Sequence, residues 1–162
     1  MLTYETMGDT FFFLFRLVTA IIFPVAIAVI FFCLDRKTKF GKLGYWKKQT
    51  IIGVIFGGVA ILATEFGIPV DGAVLNVRSA APLSAGLIFG GPAGIISGTI
   101  GAIHRWISVY WGIGSYTRLA CTLATFLAGI IAALCREFVF NNKKTTWLYG
   151  FIIGVTTEVI HM

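Results

Sequence analysis

Few side chains in this sequence are equipped for chemistry, and most of them interrupt long apolar runs. Asp71, Asn76 and Arg78 fall close together; Arg105 follows His104 and precedes Trp106; Arg118 opens one apolar run; Glu158 lies deep in the last, three residues before His161. Arginine offers a planar fork of donors matched to carboxylate or phosphate, and asparagine both donates and accepts. Arg78 and Arg105, with Asn76, Asp71 and Trp106, therefore read as a candidate binding site for a small molecule, with Arg78 as the anion-binding group. Asp71 is equally able to pair with Arg78 and hold its loop. Arg118 and Glu158 have opposite charges and can pair across helices, as structural partners or as a signal relay.

Other chemistry finds little support. There is no G-x-S-x-G elbow, phosphate-binding P-loop or H-E-x-x-H. Gly90-Gly91-Pro92-Ala93-Gly94 lacks the lysine and hydroxyl of a phosphate loop. The two histidines have no further ligand-type residues at metal spacing. Cys33, Cys121 and Cys135 form no C-x-x-C pair and read as small apolar packing residues. The expectation is a chain that is not an enzyme and needs no metal or cofactor.

The surroundings of these residues explain why they stand out. Of the 162 residues, 57% are hydrophobic and only 12% charged. Mean hydropathy is +0.89, whereas a soluble domain carries roughly a quarter charged residues. So little polar surface cannot cover a globule in water. The formal charge of +6 is no nucleic-acid footprint, because Arg36, Lys37, Lys39, Lys42, Lys47 and Lys48 crowd one connection. That bias marks a cytoplasmic loop, and contact with lipid head groups is its secondary reading. Residues 1–10 contain Glu5 and Asp9 but no basic residue, unlike a signal peptide.

Spanning a bilayer takes about 20 apolar residues. The candidate spans are 11–34 (kinked at Pro24, with Arg16 snorkelling outward), 50–68, 116–134 and 147–162. The last would rise only about 24 Å, and the chain is expected to continue beyond it. Between residues 68 and 116 the chain forms one helix over 81–103, two crossing helices over roughly 74–90 and 92–106, or a re-entrant hairpin. Charge parity favours an odd number of crossings between Asp71 and the basic connection of Arg136, Lys143 and Lys144. Two helices split at Gly90-Gly91-Pro92, plus 116–134, supply three. Pro92 would break a continuous helix but suits the start of a new one. Gly86, Gly90, Gly94 and Gly98, spaced by four, together with Gly101, let neighbouring backbones approach in lipid. The expected fold is an all-α, polytopic membrane bundle of about five to six helices, forming one domain over residues 1–162.

Several motifs in this order carry a resemblance. "NVR" at Asn76–Arg78 precedes a small-residue run through Gly86 to Gly91-Pro92. Gly94, Gly98 and Gly101 then lead to "HRW" at Arg105, and "EVIHM" closes the chain with Glu158 and Met162. Over residues 50–162 this is similar to the LytS/YhcK-type transmembrane receptor module. It departs where Trp111-Gly112-Ile113-Gly114 replaces the Gly-Gly pair usual in that family. The resemblance implies a plasma-membrane sensory domain of a two-component or diguanylate cyclase type protein, linked to envelope regulation and followed by a cytoplasmic output domain; a homodimer is a further arrangement open to the chain. A more distant likeness is to substrate-binding subunits of energy-coupling-factor transporters, where Gly-Pro turns the chain between two helices. The leading expectation is a sensor. The alternatives are a transport subunit and a structural protein associating through its glycine faces.

Overall fold

The computed structural model describes residues 44–161 apart from 71–72, 76–77, 111–114, 116, 142 and 144–145, together with isolated residues between 14 and 33. The expected span 11–34, with Arg16 and Pro24, thus lies largely outside the described residues. Its Ile27 packs against the core formed by the rest of the bundle.

Helix α1, Tyr45–Glu65, begins five residues earlier than expected, with Gln49 already buried on its inner face. Gly53 and Gly57 are notches on that face. A Cβ on Gly53 would lie 2.7 Å from Cβ of Ile96, and one on Gly57 would lie 2.8 Å from Cβ of Ile100. The helix ends at Phe66 and Gly67, ahead of a two-stranded antiparallel hairpin of β1, Ile68–Val70, and β2, Ala73–Leu75. This hairpin moves the start of the helix expected over 74–90 to Ala80, while its end near residue 90 stands. Val74 and Leu75 are held in extended backbone by pairing with Pro69 and Ile68, and the β-branched Ile68, Val70 and Val74 suit that conformation. Helical structure resumes only at Ala80.

Helix α2, Ala80–Phe89, loosens into a π turn over its second half and stops at Gly90. Gly90 has φ 149° and ψ 154°, a conformation open in practice only to glycine. Helix α3, Gly91–Ser108, starts at once, with Pro92 in its first turn where no N–H is needed. The break at Gly90-Gly91-Pro92 therefore separates two helices, and a single helix over 81–103 is excluded. Helix α4, Arg118–Val139, ends in a second π turn, and helix α5 is Trp147–His161. Among the described residues, the regular structure is helical apart from the short hairpin.

Cross-helix contacts give the directions. Gly53 of α1 meets Ala93 and Ile96 of α3, while Ala60 meets Gly101, so these two helices run parallel. Helix α2 runs antiparallel to them, from Arg78 beside Thr64 to Phe89 beside Gln49. Gly91 abuts Ala133, and Gly98 abuts Thr125, so α4 returns antiparallel to α3. Helices α2, α3 and α4 thus alternate in direction; α2 rises only about 15 Å, half of a hydrocarbon core, so both the crossing pair and the re-entrant hairpin keep the odd parity that the charge pattern asks for.

Helix α3 is central, packed on α1 and α4. Its glycines are consumed inside the chain. A Cβ on Gly94 would sit 2.7 Å from Cα of Gly86, and one on Gly129 would sit 2.5 Å from the carbonyl oxygen of Gly94. In lipid, such backbone proximity supplies the dispersion contacts that a hydrophobic effect cannot. This overturns self-association through the Gly94–Gly98 face, because α2 and α4 already occupy it. Two apolar clusters complete the interior. Ile52, Phe56, Val59 and Ala81 belong to one, and Leu83, Leu87, Ala128 and Ala132 form the other.

Candidate functional site

By the positive-inside rule the Gln49 end of the bundle is the expected cytoplasmic end, and is termed inner; the Glu65 end is termed outer. Among the described residues, four arginines occupy the two ends. Arg78, Arg105 and Arg118 lie at the outer end, and Arg136 lies at the inner end.

Arg78 stands just before α2, where its carbonyl accepts from the N–H of Ala81. It is only 1% exposed. Its Nε donates to Oγ1 of Thr125 at 2.6 Å, Nη1 to Oγ1 of Thr64 at 3.4 Å and Nη2 to the carbonyl of Cys121 at 3.3 Å. Both threonines spend their single hydroxyl proton on a carbonyl one turn earlier, Thr64 on Ala60 and Thr125 on Cys121. Their oxygen lone pairs are left to accept from the guanidinium. One side chain thereby joins α1 and α4 at the start of α2.

Arg105 lies in the last turn of α3, where the helix dipole favours a cation. It is 2% exposed and donates through Nη2 to Oγ1 of Thr117 at 3.3 Å. The preceding residue, His104, places Nε2 3.4 Å from Oε1 of Glu65 and ties α3 to α1. Arg78 and Arg105 therefore share one level of the bundle. An apolar cleft of about 240 Å³ opens nearby, between α4 and α5, with Ser79, Ala120, Ala124 and Thr157 in its wall.

The remaining candidates separate from this pair. Trp106 points away from the bundle and is 43% exposed. The Cζ of Arg118 lies 3.8 Å from the Trp106 ring centroid, and its Nη2 donates to the Tyr110 hydroxyl at 3.2 Å. Trp106 is thus the partner of Arg118 rather than part of the Arg78–Arg105 cluster. Asp71 and Asn76 lie outside the described residues, as does the side chain of Glu158, although Glu158 falls within α5.

Reading the sequence missed the groups that receive these arginines. Thr64, Thr117 and Thr125 are uncharged and looked like ordinary helix residues. The signal was present in α4, where Cys121, Thr125, Ala128 and Ala132 recur on one helical face as its buried stripe. The inner end was missed as well. Gln49, 2% exposed, accepts from the N–H of Ala93 through Oε1 and donates from Nε2 to the carbonyl of Phe89. Arg136 donates from Nη1 to the carbonyl of Leu87 at 2.6 Å. Together they bracket the break at Gly90.

A multi-pass helical bundle with a broken central hairpin and arginines buried in its interior defines a membrane-embedded receptor-type module. Residues 33–162 match the family described as 5TMR of 5TMR-LYT, and the chain belongs to that family. Among curated proteins, it is 34% identical over 116 residues to the sensor histidine kinase YpdA of Escherichia coli K12, covering 72% of this chain and 20% of that protein. It is 26% identical over 110 residues to the sensor histidine kinase BtsS of the same strain, covering 67% of this chain and 19% of the relative. The chain thus spans about a fifth of the length of the curated relatives it matches. No solved structure matches. The chain is a multi-pass plasma-membrane sensory module of the kind that sensor histidine kinases carry, as expected from its motifs.

Proposed function

We propose that residues 1–162 act as one receiving module, in which a small anionic molecule arriving from the outer side is read by Arg78 and Arg105. The module has no catalysis of its own. It changes the packing of α2, α3 and α4, and α5 passes that change to a cytoplasmic kinase domain. The observation that carries this reading is Arg78, a single buried guanidinium that reaches α1 and α4 at once. Bonds from a cation to neutral hydroxyls are exchangeable: a carboxylate or phosphate accepts two from the same fork and is the stronger partner. Drawing Arg78 off Thr64 or Thr125 loosens one helix contact and favours a different packing, which is the differential affinity that a switch requires. The tight glycine packing around Gly94 makes such a change a step between discrete arrangements rather than a smooth deformation.

The test is autophosphorylation of the full-length protein in nanodiscs, exposed to a panel of small carboxylates and to inorganic phosphate. Wild type should respond to at least one anion, and Arg78→Lys and Arg105→Lys should each raise the half-maximal concentration at least about tenfold. A response that survives unchanged in both variants sinks the site assignment. A response to none of these anions in wild type sinks the anion reading.

A further inference from the structure

Residue 105 turns into the bundle while residue 106 turns out of it, and the outward side has an organisation of its own. Thr99, Ile103, Trp106 and Tyr110 follow one another at intervals of four, three and four along the outer half of α3 and just past its end. Facing them on α4 stand Arg118, Thr122 and Phe126, spaced by four and therefore on one helical face. Between the two ridges runs a groove of about 350 Å³, with Ala102 in its floor. From Thr99 to Trp106 it is about 10 Å long. It opens sideways, as the exposure of Ile103 at 55% and Trp106 at 43% shows.

The groove is apolar along its length and cationic at its outer mouth. There Arg118 lies over the Trp106 ring and also 4.9 Å from the centroid of Tyr110. Its Nε is buried without a hydrogen-bond partner among the described residues, and so is Oγ1 of Thr122 one turn further in. Tryptophan, tyrosine and arginine together mark the head-group level of a membrane. An arginine fork there matches a phosphate. A soluble anion has no use for the apolar groove below. A second copy of the chain fits poorly, because helices associate in lipid through small residues, and Ile103, Trp106 and Phe126 shape this surface.

We propose that this groove binds one anionic phospholipid of the outer leaflet, with its phosphate on Arg118 and one acyl chain between α3 and α4. The site is separate from the Arg78–Arg105 cluster and stands whether or not that cluster receives a ligand.

The experiment is native mass spectrometry of the full-length protein in detergent, titrated with phosphatidylglycerol. Wild type should retain one lipid after washing. Arg118→Gln should weaken retention about tenfold, the scale of a lost charge-assisted bond. Ile103→Trp, which fills the groove and leaves Arg118 in place, should weaken it comparably. Thermal unfolding in lipid-free detergent identifies any variant that has failed to fold. Dioleoylglycerol, with tails but no phosphate, should not compete. A phosphatidylglycerol carrying a diazirine in its tail should label residues 99–107 and 122–126. Equal retention by wild type and both variants overturns the site, as does labelling confined to another face. Loss with Ile103→Trp alone, or effective competition by dioleoylglycerol, overturns the phosphate contact.

Discussion

At the inner end of the bundle, Gln49 and Arg136 bond main-chain groups on either side of the Gly90 break: the carbonyls of Phe89 and Leu87 and the N–H of Ala93. At the outer end, Arg78 and Arg105 bond mainly side-chain hydroxyls, those of Thr64, Thr125 and Thr117. Both ends bury polar groups in a chain poor in them, yet the partners differ in kind. A helix break in lipid frees backbone groups that water cannot reach, and each left unsatisfied costs free energy comparable to a lost hydrogen bond. The inner residues answer that fixed demand. The outer arginines hold helices together through neutral hydroxyls, so the inner end suits a hinge and the outer end is where we propose the receiver.

The contrast predicts graded effects. The largest should come from Gly129→Leu, which strikes the packing shared by both ends, because even a Cβ there meets the Gly94 carbonyl oxygen at 2.5 Å. Overpacking against backbone should cost about 3 kcal/mol or more, read as loss of folded protein in detergent thermal unfolding. Next, Gln49→Leu leaves buried main-chain groups at the break without their side-chain partner. It should destabilise by about 2–4 kcal/mol, with signalling falling only in step with the folded fraction. Arg78→Lys should cost less stability, about 1–2 kcal/mol, while removing most of the response in the autophosphorylation assay. If Gln49→Leu and Arg78→Lys show the same ratio of lost response to lost stability, the two ends do not differ as described. The smallest effect belongs to Glu65→Gln. Its contact with His104 is half exposed, so it should shift stability by no more than about 0.5 kcal/mol.

That the break at Gly90 was legible and that the role of Gln49 was not have a common origin. Counting crossings needs only the order of apolar runs and basic connections, and Pro92 marks a helix start by its own chemistry. Gln49 sat at the edge of a basic connection and read as part of it. Only the extension of α1 back to Tyr45 brought it onto the face of Ile52, Gly53 and Phe56. The helix expected over 74–90 started too early for a related reason: the short extended pattern of residues 68–75 is too brief to stand out against the apolar run that follows. The π turn before Gly90 left no trace in the pattern at all.

By itself, then, the sequence determined that this chain lives in the membrane, that the central segment breaks at Gly90-Gly91-Pro92, and that Arg78 and Arg105 finish on the same side. These properties depend on sums along the chain: hydropathy, charge and the fixed backbone preferences of glycine and proline. Tertiary structure alone decided that Arg105 enters the bundle while Trp106 leaves it for Arg118, that Thr64 and Thr125 receive Arg78, and that Gln49 and Arg136 bracket the break. Neighbouring residues on a helix point about 100° apart. Which of them faces inward is settled by how Ile96 and Ile100 seat in the notches of Gly53 and Gly57, and by how closely Gly94 approaches Gly86 and Gly129.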